Sequence, residues 1–357
     1  MPGTPASPRL DSLQAARGIA ALGVLVFHSS QATGARVAAL PPWLDAVFAT
    51  GYLGLDFFFV LSGFIIFASH MRDPRTFKAA RAYFIKRVLR IFPPYLPISI
   101  ALLVAFWLAP QLLQSVHGPL PEPSLLSSLL LLPDDAPPAL TIAWTLIFEM
   151  VFYTVFLVFF VSTRVFISAM VLWCAGILAW TGSESALLDT VFSMRNLEFL
   201  MGMGVACLVR KRWGNAPGLL SLLIGVIALG AAVVALPAHP PLVMGACFAA
   251  IVFGLVILER NNRMRVPAAL VSLGDASYSL YLTHNPVQSI ISRVIPKVLA
   301  TSSWWLAMAL AIAGSIAAAF SYHRYFEAPV IGALGRLVRR APPPLTGKSG
   351  IPLRESP

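Results

Sequence analysis

Apolar runs long enough to cross about 30 Å of hydrocarbon recur along almost the whole chain, and they constrain the fold more than any motif does. No water in that layer can satisfy backbone N–H and C=O groups, so a spanning segment of about twenty residues must be helical. Charged residues make up only 11% of the chain against 58% hydrophobic ones, with a mean hydropathy of +0.78, which excludes a water-soluble globular domain. The pattern predicts an all-α, polytopic transmembrane helical bundle of about ten spans. They lie near residues 13–31, 51–70, 91–112, 139–161, 165–181, 187–209, 218–236, 241–258, 271–291 and 303–322.

The net charge of +11 has a topological explanation. About 22 of the 26 Lys and Arg residues fall in the N-terminal segment, the even-to-odd loops or the tail, which predicts both termini on the cytoplasmic side. Arg36, Arg195, Arg293 and Lys297 fall on the other side. The basic loops carry no interleaved stacking aromatics, so membrane lipid is an expected partner and nucleic acid is not. No internal repeat or cleavable signal peptide is read, and residues 1–337 form one transmembrane domain. Residues 338–357 read as a basic, Pro-rich, disordered cytoplasmic tail. Cys174, Cys207 and Cys247 sit in apolar spans without ligand spacing, so they read as packing residues and no metal is expected.

Polar groups inside these spans carry the functional information. The first span reads RLDSLQAARGIAALGVLVFHSS from Arg9. Its Arg17 and His28 leave one helix face about 16 Å apart in height, and two ionisable groups on one stripe suggest a polar pathway, though a snorkelling Arg and a packed His would also fit. The fourth span, AWTLIFEMVFYTVF, carries Glu149 at a depth of about 15 Å from the opposite side, so His28 and Glu149 are expected to meet near the midplane. A carboxylate beside an imidazole suits a general base, or a pair that merely satisfies itself. Trp144 and Tyr153 read as packing residues.

Four further stretches matter. In GYLGLDFFFVLSGFIIF, Asp56 is either a helix-start carboxylate or an acid facing a cavity. Between His70 and Arg90, Lys86, Arg87 and Arg90 are spaced i, i+1, i+4 at the start of the third span, a cluster that suits a polyanionic nucleotide cofactor or anionic lipid. SYSLYLTHNPV sets Tyr278, Tyr281 and His284 on one broad face, lining an acceptor channel or packing. Arg195 and Glu198 read as a self-satisfied pair, and Glu327 in the closing YHRYFEAP as paired with Arg324 or a loop base. The outer loop of residues 110–138, with His117, Glu122, Asp134 and Asp135, reads as an interfacial or re-entrant lid.

Taken in this order, RLDSLQAARGIAALGVLVFH, GYLGLDFFFVLSGFII, Arg87-Val-Leu-Arg90 followed by IFPPY, WTLIFEMVFY, SYSLYLTHNPV and YHRYFEAPV resemble the acyltransferase 3 family of bacterial integral-membrane O-acyltransferases. The resemblance implies transfer of an acyl group, most often acetyl, from cytoplasmic acetyl-CoA or another acyl-CoA to a hydroxyl of a sugar, surface polysaccharide or glycosylated small molecule. It implies a place in the bacterial cytoplasmic (inner) membrane and a carbohydrate or glycoconjugate acceptor as partner. By family carry-over, Arg17 and His28 form the essential pair, Arg87 and Arg90 the cofactor-side arginines, and Glu149 the membrane acid. With the residue reading this gives His28, Glu149 and Arg17 as catalytic, Lys86, Arg87 and Arg90 as cofactor-binding, and Asp56, Tyr281 and His284 as substrate-binding. Ala16 replaces a leucine common in the first motif. Some members carry an extracytoplasmic hydrolase-like domain not read in this sequence, which leaves room for a separate extracytoplasmic transferase as partner. The alternative from another class is a transporter or flippase for a lipid-linked sugar, in which the same Arg, His and Glu line a substrate or proton path.

Overall fold

The structure, a computed structural model, describes residues 10–108, 121–298 and 303–340, and among these every regular element is helical. The first part of the chain forms α1 (Asp11–Arg36), α2 (Pro42–Ala49), α3 (Gly54–His70), α4 (Phe77–Leu108) and α5 (Leu125–Leu130). The middle forms α6 (Trp144–Phe156), α7 (Thr163–Ala179), α8 (Ala186–Val191), α9 (Asn196–Leu208), α10 (Asn215–Ala235) and α11 (Pro241–Arg260). The last part forms α12 (Ala268–Asp275), α13 (Ser277–Val298), α14 (Trp304–Tyr322) and α15 (Ala328–Arg340), with a π-helical turn, His323–Glu327, before α15. The tail beyond residue 340 lies outside the described residues, as does His117 of the outer loop.

Each predicted span coincides with a helix or a pair of helices, and seven helical stretches are long and apolar enough to cross a membrane. The predicted first, fifth and ninth spans are helical without being among the seven: Arg17, His28 and the serines dilute α1, α7 has 17 residues, and the ninth is split. That split comes at Ala276, between α12 and α13, and the sixth span breaks likewise between α8 and α9. The third predicted span, α4, departs most from expectation. It begins at Phe77, so Lys86, Arg87 and Arg90 lie well inside a 32-residue helix rather than at a start, and Pro93, Pro94 and Pro97 sit within it. Each proline lacks the N–H that would bond the carbonyl four residues earlier, so Leu89, Arg90 and Pro93 lose that helical donor, and carbonyls beside them are tied to other helices. Tyr322 donates to the Pro94 carbonyl at 2.7 Å, and Tyr278 to that of Ile91 at 2.9 Å.

Small residues set the closest helix crossings. A Cβ on Gly63 of α3 would lie 2.0 Å from the Phe199 carbonyl oxygen of α9, and one on Gly202 would lie 1.9 Å from that of Val60. Backbones therefore touch at this crossing, where Phe152 of α6 stacks on Phe199 with centroids 4.4 Å apart. Gly202→Ala is expected to cost ~1–3 kcal/mol by forcing the helices apart, lowering the unfolding midpoint in detergent. Gly204→Ala meets open space and is the control, expected to leave the midpoint unchanged. Equal midpoints for the two variants would contradict the crossing distance.

The start of α1 is fixed from a distance. Glu259, at the end of α11, accepts from the backbone N–H of Asp11 at 2.7 Å and of Ser12 at 2.9 Å, and also from the Ser12 hydroxyl. A carboxylate at a helix N-terminus satisfies orphan donors and matches the helix dipole. This contact anchors the helix that carries Arg17 and His28.

Candidate active site

A cavity of about 200 Å³ opens inside the bundle, and five helices wall it. The face of α6 supplies Thr145, Glu149 and Tyr153, spaced i, i+4, i+8; α3 supplies Phe58, Ser62 and Ile65; α4 supplies Arg87, Arg90 and Ile91. Arg17 comes from α1, and Ser277, Tyr278 and Tyr281 from α13. The wall on α3 runs from Leu55 to Ile66, which at 1.5 Å per residue is about 16 Å, or half the hydrocarbon thickness.

Glu149 is held within this cavity. One carboxylate oxygen accepts from Ser62 Oγ at 3.1 Å and from the Tyr153 hydroxyl, and among the described residues the other oxygen makes no hydrogen bond. Arg17 donates to Gln14 Oε1 at 3.2 Å, and Glu149 and Arg90 act on it electrostatically. The carboxylate is thus held by a hydroxyl pair and lies close enough to the half-buried Arg17 guanidinium to act on its charge.

The two cavity arginines of α4 are anchored differently. Arg87 Nη2 lies 3.0 Å from His70 Nε2, and its guanidinium stands 5.6 Å from the Tyr83 ring and 5.8 Å from that of Tyr153. Arg90 Nη1 donates to Glu327 Oε1 at 2.8 Å and lies 5.3 Å from the Tyr278 ring. Glu327 is fully buried and also accepts from Ser279 Oγ at 2.6 Å and His323 Nδ1 at 2.9 Å. Its partners are therefore Arg90, Ser279 and His323 rather than Arg324, because the π-helical turn aims it at α4 and α13. Lys86, one residue from Arg87 and so about 100° around the helix, is exposed and leaves the cavity wall to the two arginines.

His28 and Glu149 do not pair. Matching depth fixes only one coordinate, and laterally His28 lies on the α13 side, its ring 5.2 Å from that of His284. His284 is 1% exposed; its Nδ1 faces the Leu280 carbonyl at 2.9 Å, and its buried Nε2 has no hydrogen-bond partner among the described residues. Tyr281 links this pair to the cavity: it lines the wall, its ring is 5.9 Å from His284, and its hydroxyl reaches Thr145 Oγ1 at 2.6 Å and the Ile142 carbonyl. His28 therefore stands beyond the cavity's far end, past Tyr281 and His284.

Asp56 belongs elsewhere. It is buried at the α3–α9 crossing, where Arg195 Nη1 donates to it at 2.9 Å while stacking 5.2 Å from Trp144. Arg195 thus pairs with Asp56 rather than with Glu198, and Asp56 is a bundle tie outside the cavity wall. Tyr153, read as packing, and Ser62 turn out to hold Glu149. The i, i+4 spacing of Glu149 and Tyr153 was the signal for the first; nothing local signals Ser62, eighty-seven residues away.

A family model described as an acyltransferase domain matches residues 10–324. Exopolysaccharide production protein ExoZ of Rhizobium meliloti (strain 1021) is 30% identical over 288 residues, covering 75% of this chain and 83% of that protein. Acyltransferase MdmB of Streptomyces mycarofaciens is 28% identical over 382 residues, covering 96% and 97% respectively. No solved structure matches the chain.

Proposed function

The chain belongs to the acyltransferase 3 family, a multi-pass membrane acyltransferase, and from that premise we propose that it moves an acyl group, most often acetyl, from cytoplasmic acyl-CoA to a hydroxyl of a sugar or glycoconjugate. Membership of an acyltransferase family decides against the transport reading. One observation carries the proposal: a cavity that joins Arg87 and Arg90 at the basic end of the bundle to Arg17 and Glu149 in its interior.

A cavity of about 200 Å³ is smaller than the ~300–1,000 Å³ usual for a drug-sized ligand. It suits the slim thioester arm of acyl-CoA, with the nucleotide phosphates left at the mouth beside Arg87. Arg17, about 16 Å from His28 in height along the same helix, would then hold the donor arm inside the cavity while the thioester reaches past Tyr281 toward His28, where a hydroxyl oxygen attacks its carbonyl. His28, approached from the far side with the acceptor, takes the hydroxyl proton; the new ester bond forms as the carbon–sulfur bond breaks, and the proton returns to the departing thiolate. Glu149 supplies the counter-charge that keeps Arg17 directed into the cavity. The name of the first relative supports a carbohydrate acceptor. The positive-inside distribution supports the cytoplasmic membrane, with Arg87 facing the CoA pool.

Labelled acetyl-CoA incubated with the purified protein and a hydroxyl acceptor tests this. Free CoA and labelled ester are expected in equal amounts, and Arg87→Ala is expected to weaken acyl-CoA binding by about tenfold or more. An absence of both products, with no acyl-CoA binding, would overturn the proposal.

A further inference from the structure

The carbonyl end of α3 and the loop after it place a second titratable group directly behind Arg87. His70 Nδ1 lies 2.7 Å from Asp73 Oδ2, and its Nε2 lies 3.0 Å from Arg87 Nη2. A guanidinium can only donate, and a carboxylate only accepts, so the imidazole between them must be neutral with its proton on Nδ1. We propose that Asp73 and His70 form a positioning relay that fixes the tautomer of His70 and thereby aims Arg87 into the cavity toward an anionic phosphate.

Three observations support a directed role over simple packing. Arg87 Nε is buried with no partner, so the side chain is held at its tip by His70 alone among hydrogen-bonding groups in the described residues. Among the described residues no carboxylate pairs directly with it, since neutral His70 stands between it and Asp73, whereas Arg90 is paired with Glu327. Of the two arginines that α4 places on the wall, Arg87 is therefore the one without a carboxylate partner and with charge left to attract a phosphate. His70 itself is 6% exposed and wedged between Tyr83, Phe156 and Phe160, with Lys86 the other cation acting on it. The ring has little freedom to present any other edge.

The inference rests on acyl-CoA as the ligand at Arg87, and the test separates the two. His70→Phe keeps the ring packing and removes both nitrogens; His70→Gln returns an acceptor near the place of Nε2. In steady-state assays His70→Phe is expected to raise the KM for acetyl-CoA about tenfold with kcat within about twofold, and His70→Gln to restore KM to within about threefold of wild type. Nitrogen NMR of imidazole-labelled protein in lipid vesicles is expected to show one neutral ring protonated on Nδ1 that disappears in His70→Phe. A charged ring, or one protonated on Nε2, would refute the relay, as would equal KM values for wild type and His70→Phe. Failure of the wild-type protein to consume acetyl-CoA would refute the acyl-CoA reading instead, with the tautomer then deciding the relay by itself.

Discussion

His28→Ala is expected to lower acyl transfer by about a hundredfold or more while acetyl-CoA binding stays within about threefold of wild type. A base that takes a proton in the transition state contributes roughly 10²–10⁴ in rate, whereas donor affinity is set where the donor sits. His28 is separated from the cavity by Tyr281 and His284, and among the described residues no hydrogen bond or ring contact joins it to Arg87 or Arg90 at the mouth. The expected split, loss of kcat with preserved binding, follows from that separation. Parallel loss of both would place His28 within the donor site, and normal turnover would remove it from the chemistry altogether. The unfolding midpoint of the variant belongs beside these numbers, because His28 also packs on Phe27, with ring centroids 4.8 Å apart.

The spans were legible because hydrocarbon imposes one rule on every segment that crosses it, and apolar length alone reports compliance. Breaks within spans were less legible: Asn196 and Ser277 begin new helices within VFSMRNLEF and SLGDASYSL, whose polar residues do not by themselves mark a break. At the site, residues that share a helix face were readable from spacing, as with Arg87 and Arg90 or Tyr278 and Tyr281. Which helices face each other was not. Equal depth suggested that His28 meets Glu149, but rotation and lateral placement in the bundle give His28 to His284 and Glu149 to Ser62 and Tyr153. Asp56 shows the same limit, since its partner Arg195 lies 139 residues away, just before the start of α9.

Glu327→Ala is expected to be the most destabilising single substitution considered, by ~3 kcal/mol, lowering the unfolding midpoint in detergent and the yield of folded protein. The side chain is fully buried and closes a junction of three elements: Arg90 on α4, Ser279 on α13 and His323 in the π-helical turn. Removing one partner of a buried ion pair strands the other, which costs ~3–5 kcal/mol where rehydration is prevented. Arg90 is 38% exposed along the cavity and can rehydrate, so the lower end applies to the charge. Ser279, fully buried, has no such escape and loses its acceptor outright. Glu327→Gln keeps one oxygen for these donors but sets an N–H against another, so roughly half of the loss is expected to remain. Combining Glu327→Met with Arg90→Met removes both charges and is expected to be less destabilising than Glu327→Met alone, because an ion pair exchanged whole for apolar side chains leaves no stranded charge. Additive effects of the two methionines would mean that the pair is not coupled, and the anchoring of Arg90 at the cavity wall would then need another cause.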